Sequence, residues 1–252
     1  MAIVDKGHGS PIVLVPSLQG RWEYLSPAVD ALARSHRVIT FSLRDERDGL
    51  DGLVDQIGAA LDDRGLARAA ICGVSFGGRV ALRFAAQRPE RTSALVLVST
   101  PGPGWHLKPS HQWCARHPLL AAPACFSVMA ARIRSELAVA IPDRQQRRDF
   151  VMRQSRLLGR APLSPARMAA RALLIDGADI AAECAAVSAP TLIVAGETAI
   201  DHVVPADGAS NFARLIAGSH TVTLEHTGHL GCITRPTEFA ELVRSFLECS
   251  FK

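Results

Sequence analysis

No basic leader followed by a long apolar stretch opens this chain, so its first residues, MAIVDKGHGSPIVLVP, are expected to carry no secretory signal. The longest nearly apolar segment, Leu119 to Ala131, is interrupted by Pro123 and Ser127 and is too short to cross a bilayer. Six cysteines (Cys72, Cys114, Cys125, Cys184, Cys232 and Cys249) form no CxxC pair and no regular spacing, which points to reduced cytosolic thiols rather than a disulfide framework or zinc. There is no GxGxxG or Walker pattern to cradle a nucleotide, and His106, His111 and His117 are not spaced as metal ligands. The net charge of +4 is mild and includes no Lys/Arg run of the kind that tracks nucleic acid. Internal repeats and low-complexity tracts are also missing. These absences lead to the expectation of a soluble cytoplasmic protein with no cofactor, no metal, and neither nucleic acid nor membrane as partner.

What is present is an ordinary globular composition, 48% hydrophobic and 21% charged over 252 residues, enough for one large domain or for a core plus an insertion. Short β-branched runs at 12–15, 38–41, 69–72, 95–98, 191–194 and 221–224 read as strands. Most lack polar/apolar alternation, which favours a sheet covered on both faces. Between them lie helical stripes. Leu50, Leu53, Val54, Ile57 and Leu61 form one, and Phe239, Leu242, Val243, Phe246 and Leu247 another. A third helical pattern follows Ser75 and ends at Pro89. Strands alternating with helices imply an α/β fold, with a mostly parallel sheet and right-handed crossovers.

Residues 101–188 break this rhythm. They offer no strand, and prolines at 103, 109, 118, 123, 142, 162 and 165 cut them into short helical pieces. So long a stretch is no simple connection. The expected division is a core of residues 1–100 and 189–252 with a helical cap of 101–188. The cap carries eleven arginines and one lysine against six acids. Solvated outer faces account for this charge, with an anionic substrate or partner group as the functional alternative.

The chemistry centres on Gly73-Val74-Ser75-Phe76-Gly77-Gly78, between a predicted strand and a predicted helix. That is the context of a nucleophile elbow, where a sharp turn demands small residues two positions to either side of the serine. The helix N-terminus then directs N–H groups and partial positive charge at developing anionic oxygen. Serine at its free pKa is a poor nucleophile, so a base and an orienting acid must follow later in the chain. After the strand at 191–194 comes GETAIDHVVP, and after that at 221–224 comes EHTGHLG. Each follows the C-terminal end of a strand, where parallel sheets build their sites. The acid is Asp201 or Glu197; the histidine is His229 or His226.

These stretches resemble the α/β-hydrolase family over residues 11–94 and 190–247, as a serine hydrolase of the esterase or lactonase kind. The resemblance implies an α/β-hydrolase fold with a helical cap and a catalytic triad of Ser75, Asp201 and His229. Asp201 matches the family's Asp-x-x-Val-Pro form and His229 its Gly-His position. Glu197 is then left to a structural ion pair. The family's first two strands look shortened or missing, because only about ten residues precede Ile12. By position, the N–H groups of Leu18 and Phe76 make the oxyanion hole, although Pro16-Ser17 stand where many members carry His-Gly. Ser17, Trp22 and Tyr24 are candidates to line the substrate pocket, with core packing under the cap an equal alternative for the two aromatics. The expected activity is cleavage of a small or medium carboxylic ester or lactone, a small-molecule acyl substrate, through an acyl-enzyme. The competing readings are carbon–carbon bond hydrolysis, acyl transfer or perhydrolysis on the same triad, or a slow or non-catalytic ligand-binding homologue. Dehalogenases and epoxide hydrolases are disfavoured, since those relatives carry aspartate where Ser75 stands.

Overall fold

A computed structural model describes residues 2–44, 49–205 and 207–250. Among these described residues, seven strands, β1 (Ile3–Lys6), β2 (Pro11–Val15), β3 (Arg37–Phe41), β4 (Ala69–Val74), β5 (Thr92–Val98), β6 (Thr191–Ala195) and β7 (His220–Thr223), form one sheet in the order β1-β3-β2-β4-β5-β6-β7. Every neighbouring pair is parallel except β1 with β3. The six strands expected from the β-branched runs are all present. One further strand precedes them: the antiparallel edge β1, four half-buried or exposed residues long.

Helices cover both faces, and the strand pleat divides the core between them. Val13, Val15, Ile39, Phe41, Ile71, Leu95 and Leu97 point to one side. There they meet α2 (Gly49–Asp62) through Leu53, Val54 and Ile57, and α3 (Phe76–Gln87) through Val80, Ala81 and Phe84. Ile12, Leu14, Val38, Ala70, Cys72, Val96 and Val194 point to the other side. They meet α1 (Ser26–Leu32) through Val29 and Leu32, and the C-terminal helix Pro236–Ser250 through Phe239, Val243 and Leu247.

Between β5 and β6 the chain makes α4 (Pro109–Arg116), α5 (Pro118–Ala140), α6 (Arg144–Leu157), α7 (Pro165–Ile175) and α8 (Ala181–Ala186). Pro109, Pro118 and Pro165 open α4, α5 and α7, where a missing N–H costs nothing because the first-turn donors have no helical partner. Pro123 departs from the expected break, for α5 runs straight through it. The carbonyl that it leaves without a helical donor belongs to Leu119, a residue 78% exposed, so no buried polar group is orphaned. Among the described residues, no helix is long and apolar enough to cross a membrane. After β6 come α9 (Gly208–Leu215), α10 (Gly231–Thr234) and α11, the C-terminal helix already described.

Arg79 of α3 is 1% exposed and sends its guanidinium to the carbonyls of Pro101 (3.4 Å) and Ala178 (3.5 Å). One buried cation thus ties the beginning and the end of the helical segment to the core.

The two-faced core makes a direct prediction. Phe239 is fully buried between α11 and the sheet. Phe239→Ala should lower unfolding free energy by about 3–5 kcal/mol, read as a shift of the urea midpoint. An unchanged midpoint would contradict the packing described.

Candidate active site

The strand order reverses direction between β2 and β4, the kind of switch point beyond whose C-terminal strand ends parallel sheets build their sites. Register places Val15 of β2 opposite Gly73 of β4, which brings the loop after β2 against the turn after β4.

That turn carries Ser75 at φ 54° and ψ −118°, a conformation that an L-residue adopts only under constraint. Its N–H donates to the Val98 carbonyl (2.8 Å) and its own carbonyl accepts from the Gly78 N–H (2.9 Å). The glycines are there because the backbone crowds itself. A Cβ on Gly73 would sit 2.3 Å from the Gly77 carbonyl oxygen, and one on Gly77 2.4 Å from that of Val15. Ser75 is the N-cap residue of α3, yet its side chain caps nothing. The hydroxyl is left to another partner.

That partner is His229, whose Nε2 lies 2.9 Å from Ser75 Oγ. On the other side of the ring, Nδ1 lies 3.3 Å from Asp201 Oδ2. An ionised carboxylate only accepts, so the shared proton belongs on Nδ1, and Nε2 is left to accept from the serine hydroxyl. The Asp201 side chain is 5% exposed, and its Oδ1 accepts from the N–H groups of Val203 (2.8 Å) and Val204 (3.0 Å). Burial alone would raise its carboxyl; the hydrogen bond and charge of His229 and the two amides outweigh burial and hold it below the usual carboxylate range. The stability linked to that ionisation is complete above the ordinary carboxylate pKa and is lost as pH falls through the depressed value.

The loops bearing the acid and the histidine meet main chain to main chain. A Cβ on Gly196 would lie 2.2 Å from the Gly228 carbonyl oxygen, and one on Gly228 2.8 Å from that of Ile200. Glu197, the rival acid, is engaged by His226. Its Oε1 accepts from the His226 N–H (2.6 Å) and lies 3.8 Å from His226 Nδ1, on the exposed side of the same turn.

Phe76 directly follows Ser75, and Leu18 lies in the stretch after β2. Phe76 is the first residue of α3, and Leu18 lies in a tight turn closed by a hydrogen bond from the Gly20 N–H to the Ser17 carbonyl (2.8 Å). The Ser17 hydroxyl donates to the side-chain carbonyl of Gln19, within the turn. The Tyr24 hydroxyl donates to the Ala161 carbonyl (2.8 Å), and Trp22 packs, half-buried, against the α1/α11 side of the core. Both aromatics thereby join the loop after β2 to neighbouring elements.

Two buried charges of the helical segment between β5 and β6 carry no motif in the sequence. Arg171 of α7 is 1% exposed; its Nη1 donates to the Leu18 carbonyl (3.0 Å) and its Nη2 to that of Arg44 (3.3 Å). Glu136 of α5 is 4% exposed and reaches the loop around His229. The signal for both was a charge inside an apolar stripe: Arg171 among Met168, Ala172 and Ile175, and Glu136 between Ile133 and Ala140.

This arrangement is that of the alpha/beta hydrolase fold, and the chain belongs to that family, whose model matches residues 10–236. Among curated proteins it is similar to the pimeloyl-[acyl-carrier protein] methyl ester esterase of Nitrosomonas europaea, 29% identical over 94% of this chain and 95% of the relative. It is also similar to the 2-hydroxymuconate semialdehyde hydrolase of a Pseudomonas species, 28% identical over 96% of this chain and 88% of the relative. Among solved structures, the enol-lactonase of Burkholderia xenovorans shares the fold with a TM-score of 0.78 at 22% identity, over 98% of this chain and 96% of that one.

The crowded elbow can be tested without an assay of turnover. Gly77→Ala must force its new methyl against two backbone carbonyls, those of Val15 and Pro16. It should destabilise the fold by about 1–3 kcal/mol or more in urea unfolding, and wild-type stability would contradict the geometry.

Proposed function

We propose that this chain is a serine hydrolase that cleaves a small or medium carboxylic ester or lactone through an acyl-enzyme on Ser75. The observation that carries the reading is the continuous hydrogen-bonded series from Ser75 Oγ through His229 to the buried Asp201. Ser75 Oγ attacks the carbonyl carbon as His229 Nε2 takes its proton, and Asp201 holds the imidazole in the required tautomer and stabilises the imidazolium. The carbonyl oxygen becomes an anion between the main-chain N–H groups of Leu18 and Phe76. His229 returns the proton to the leaving alcohol oxygen as the carbon–oxygen bond breaks. Water then repeats the sequence on the acyl-enzyme and frees Ser75. For a lactone the leaving hydroxyl stays attached to the product.

Residues 101–188 act as a cap over a core formed by 1–100 and 189–252, and the substrate reaches Ser75 between them. Of the cap's arginines, Arg116, Arg134, Arg144, Arg148, Arg153, Arg156, Arg160 and Arg167 are exposed, in keeping with a solvated outer face. The names of the ester-cleaving and lactone-cleaving similar proteins agree with this substrate class. Carbon–carbon bond hydrolysis is the second reading, favoured by the similarity to the semialdehyde hydrolase.

Hydrolysis of p-nitrophenyl acetate and butyrate tests the proposal. Ser75→Ala should reduce kcat by roughly 10³-fold or more, and Asp201→Asn by about 10²–10⁴-fold through loss of the correct imidazole tautomer. Turnover indifferent to Ser75→Ala would remove the serine from the chemistry. Turnover of 2-hydroxymuconate semialdehyde in preference to both esters would replace the ester reading with the carbon–carbon one.

A further inference from the structure

A carboxylate buried in the cap grips the main chain on both sides of the histidine. One oxygen of Glu136, Oε1, accepts the N–H of Gly228 at 3.1 Å and that of Leu230 at 2.5 Å. Glu136 lies on α5 between Ile133 and Leu137, which pack on the α1/α11 side of the core, and it is itself 4% exposed. A buried carboxylate is costly unless its charge is met, and two convergent amide donors meet it here. Gly228 and Leu230 are the immediate neighbours of His229, so the clamp fixes the short arc of backbone from which the imidazole projects. Ninety or more residues of chain separate the donors from the acceptor, and no sequence-local feature of the histidine loop supplies this contact.

We infer that Glu136 is a positioning residue: the cap, through this carboxylate, sets the orientation of His229 toward Ser75 and adds negative charge behind the imidazole. The inference rests on the role proposed above for His229. The groups that act on Glu136 are the Leu230 and Gly228 amides, His229 and Asp201, with the Cys232 thiol of α10 beside it. Burial, joined by the negative charge of Asp201, raises the Glu136 carboxyl above its ordinary range, against the Leu230 amide, the His229 charge and the Gly228 amide, which favour its ionised form. The same burial, followed by the charge of Glu136, pushes the Cys232 thiol up to about 12, so that thiol stays neutral beside the clamp. An ionised Glu136 stabilises the imidazolium that forms as Ser75 is deprotonated. The cap therefore does more than enclose substrate, because a movement of α5 away from the core would release the histidine loop.

The test compares Glu136→Ala and Glu136→Gln with the wild-type chain. The amide oxygen of Gln can still accept both N–H groups but carries no charge, so the pair separates geometry from electrostatics. Amide hydrogen exchange, followed by mass spectrometry, should quicken by about tenfold or more in the peptide spanning 226–231 of Glu136→Ala, and less in Glu136→Gln. On p-nitrophenyl butyrate, Glu136→Ala should lower kcat by about tenfold or more with KM within about threefold. Glu136→Gln should recover much of that kcat, while the acid limb of its pH–rate profile moves to lower pH, because the imidazole no longer has this carboxylate to favour its protonation. Exchange at 226–231 unchanged in both variants would overturn the clamp. Equal loss of kcat in both with an unmoved acid limb would reduce Glu136 to a structural residue and overturn the positioning role. Should Glu136→Ala fail to fold by circular dichroism, Glu136→Gln decides alone through the acid limb. A wild type without Ser75-dependent turnover would defeat the ester-hydrolase reading, and the exchange measurement would still decide the clamp.

Discussion

The constraint on which this site depends is the crowding of main chain around Ser75. A residue at φ 54° and ψ −118° is costly, of the order of 1–3 kcal/mol, and persists only where its surroundings leave no alternative. Here they leave none. Gly73, Gly77 and the Val15–Pro16 carbonyls fill the space on one side, and Thr100 meets Gly78 on the other. The strand end and the helix start are thereby forced into a turn that lifts the hydroxyl out of the core and aims the first N–H groups of α3 past it. An ordinary helix N-cap would spend the serine hydroxyl on its own backbone. This geometry leaves it available to His229.

The same principle of close main-chain approach joins the other two members. Gly196 against Gly228 lets the acid loop and the histidine loop touch without side chains between them, so the spacing from Asp201 to His229 is set by backbone rather than by flexible groups. The helical segment adds two buried charges that grip the loops from above. Arg171 holds the Leu18 carbonyl, and Glu136 holds the amides beside His229. One charge of each sign, each meeting main-chain groups of the opposite polarity, binds the segment to the two halves of the site.

How much of this was legible in the sequence follows from the physics of each element. The buried parallel strands announced themselves because a strand covered on both faces must be a continuous apolar run, as Ala69–Val74 is. The edge strand Ile3–Lys6 did not, since IVDK is short, half polar and paired on one side only. Glycines at fixed offsets exposed the elbow, and the DHVVP and TGHLG stretches offered an acid and a histidine at strand ends. Both Asp201 and Glu197 follow β6, and the Asp-x-x-Val-Pro form already favours Asp201; the structure adds that Asp201 lies beside His229 and Glu197 beside His226. Pro123 runs against the rule that a proline ends a helix, because at an exposed position it costs α5 only one hydrogen bond. Arg171 and Glu136 were hidden for the opposite reason. In a segment so rich in arginine, a charge reads as solvent-facing, and only burial shows that these two point inward.

The central claim is that Ser75 is a nucleophile activated by His229, and covalent trapping tests it most directly. Incubation of the folded chain with an alkyl fluorophosphonate, followed by intact-mass and peptide mass spectrometry, should give one adduct, on Ser75. Ser75→Ala should give none, and His229→Gln should slow the labelling by orders of magnitude. A folded wild type that stays unlabelled, or one labelled elsewhere while Ser75 is spared, would contradict the account.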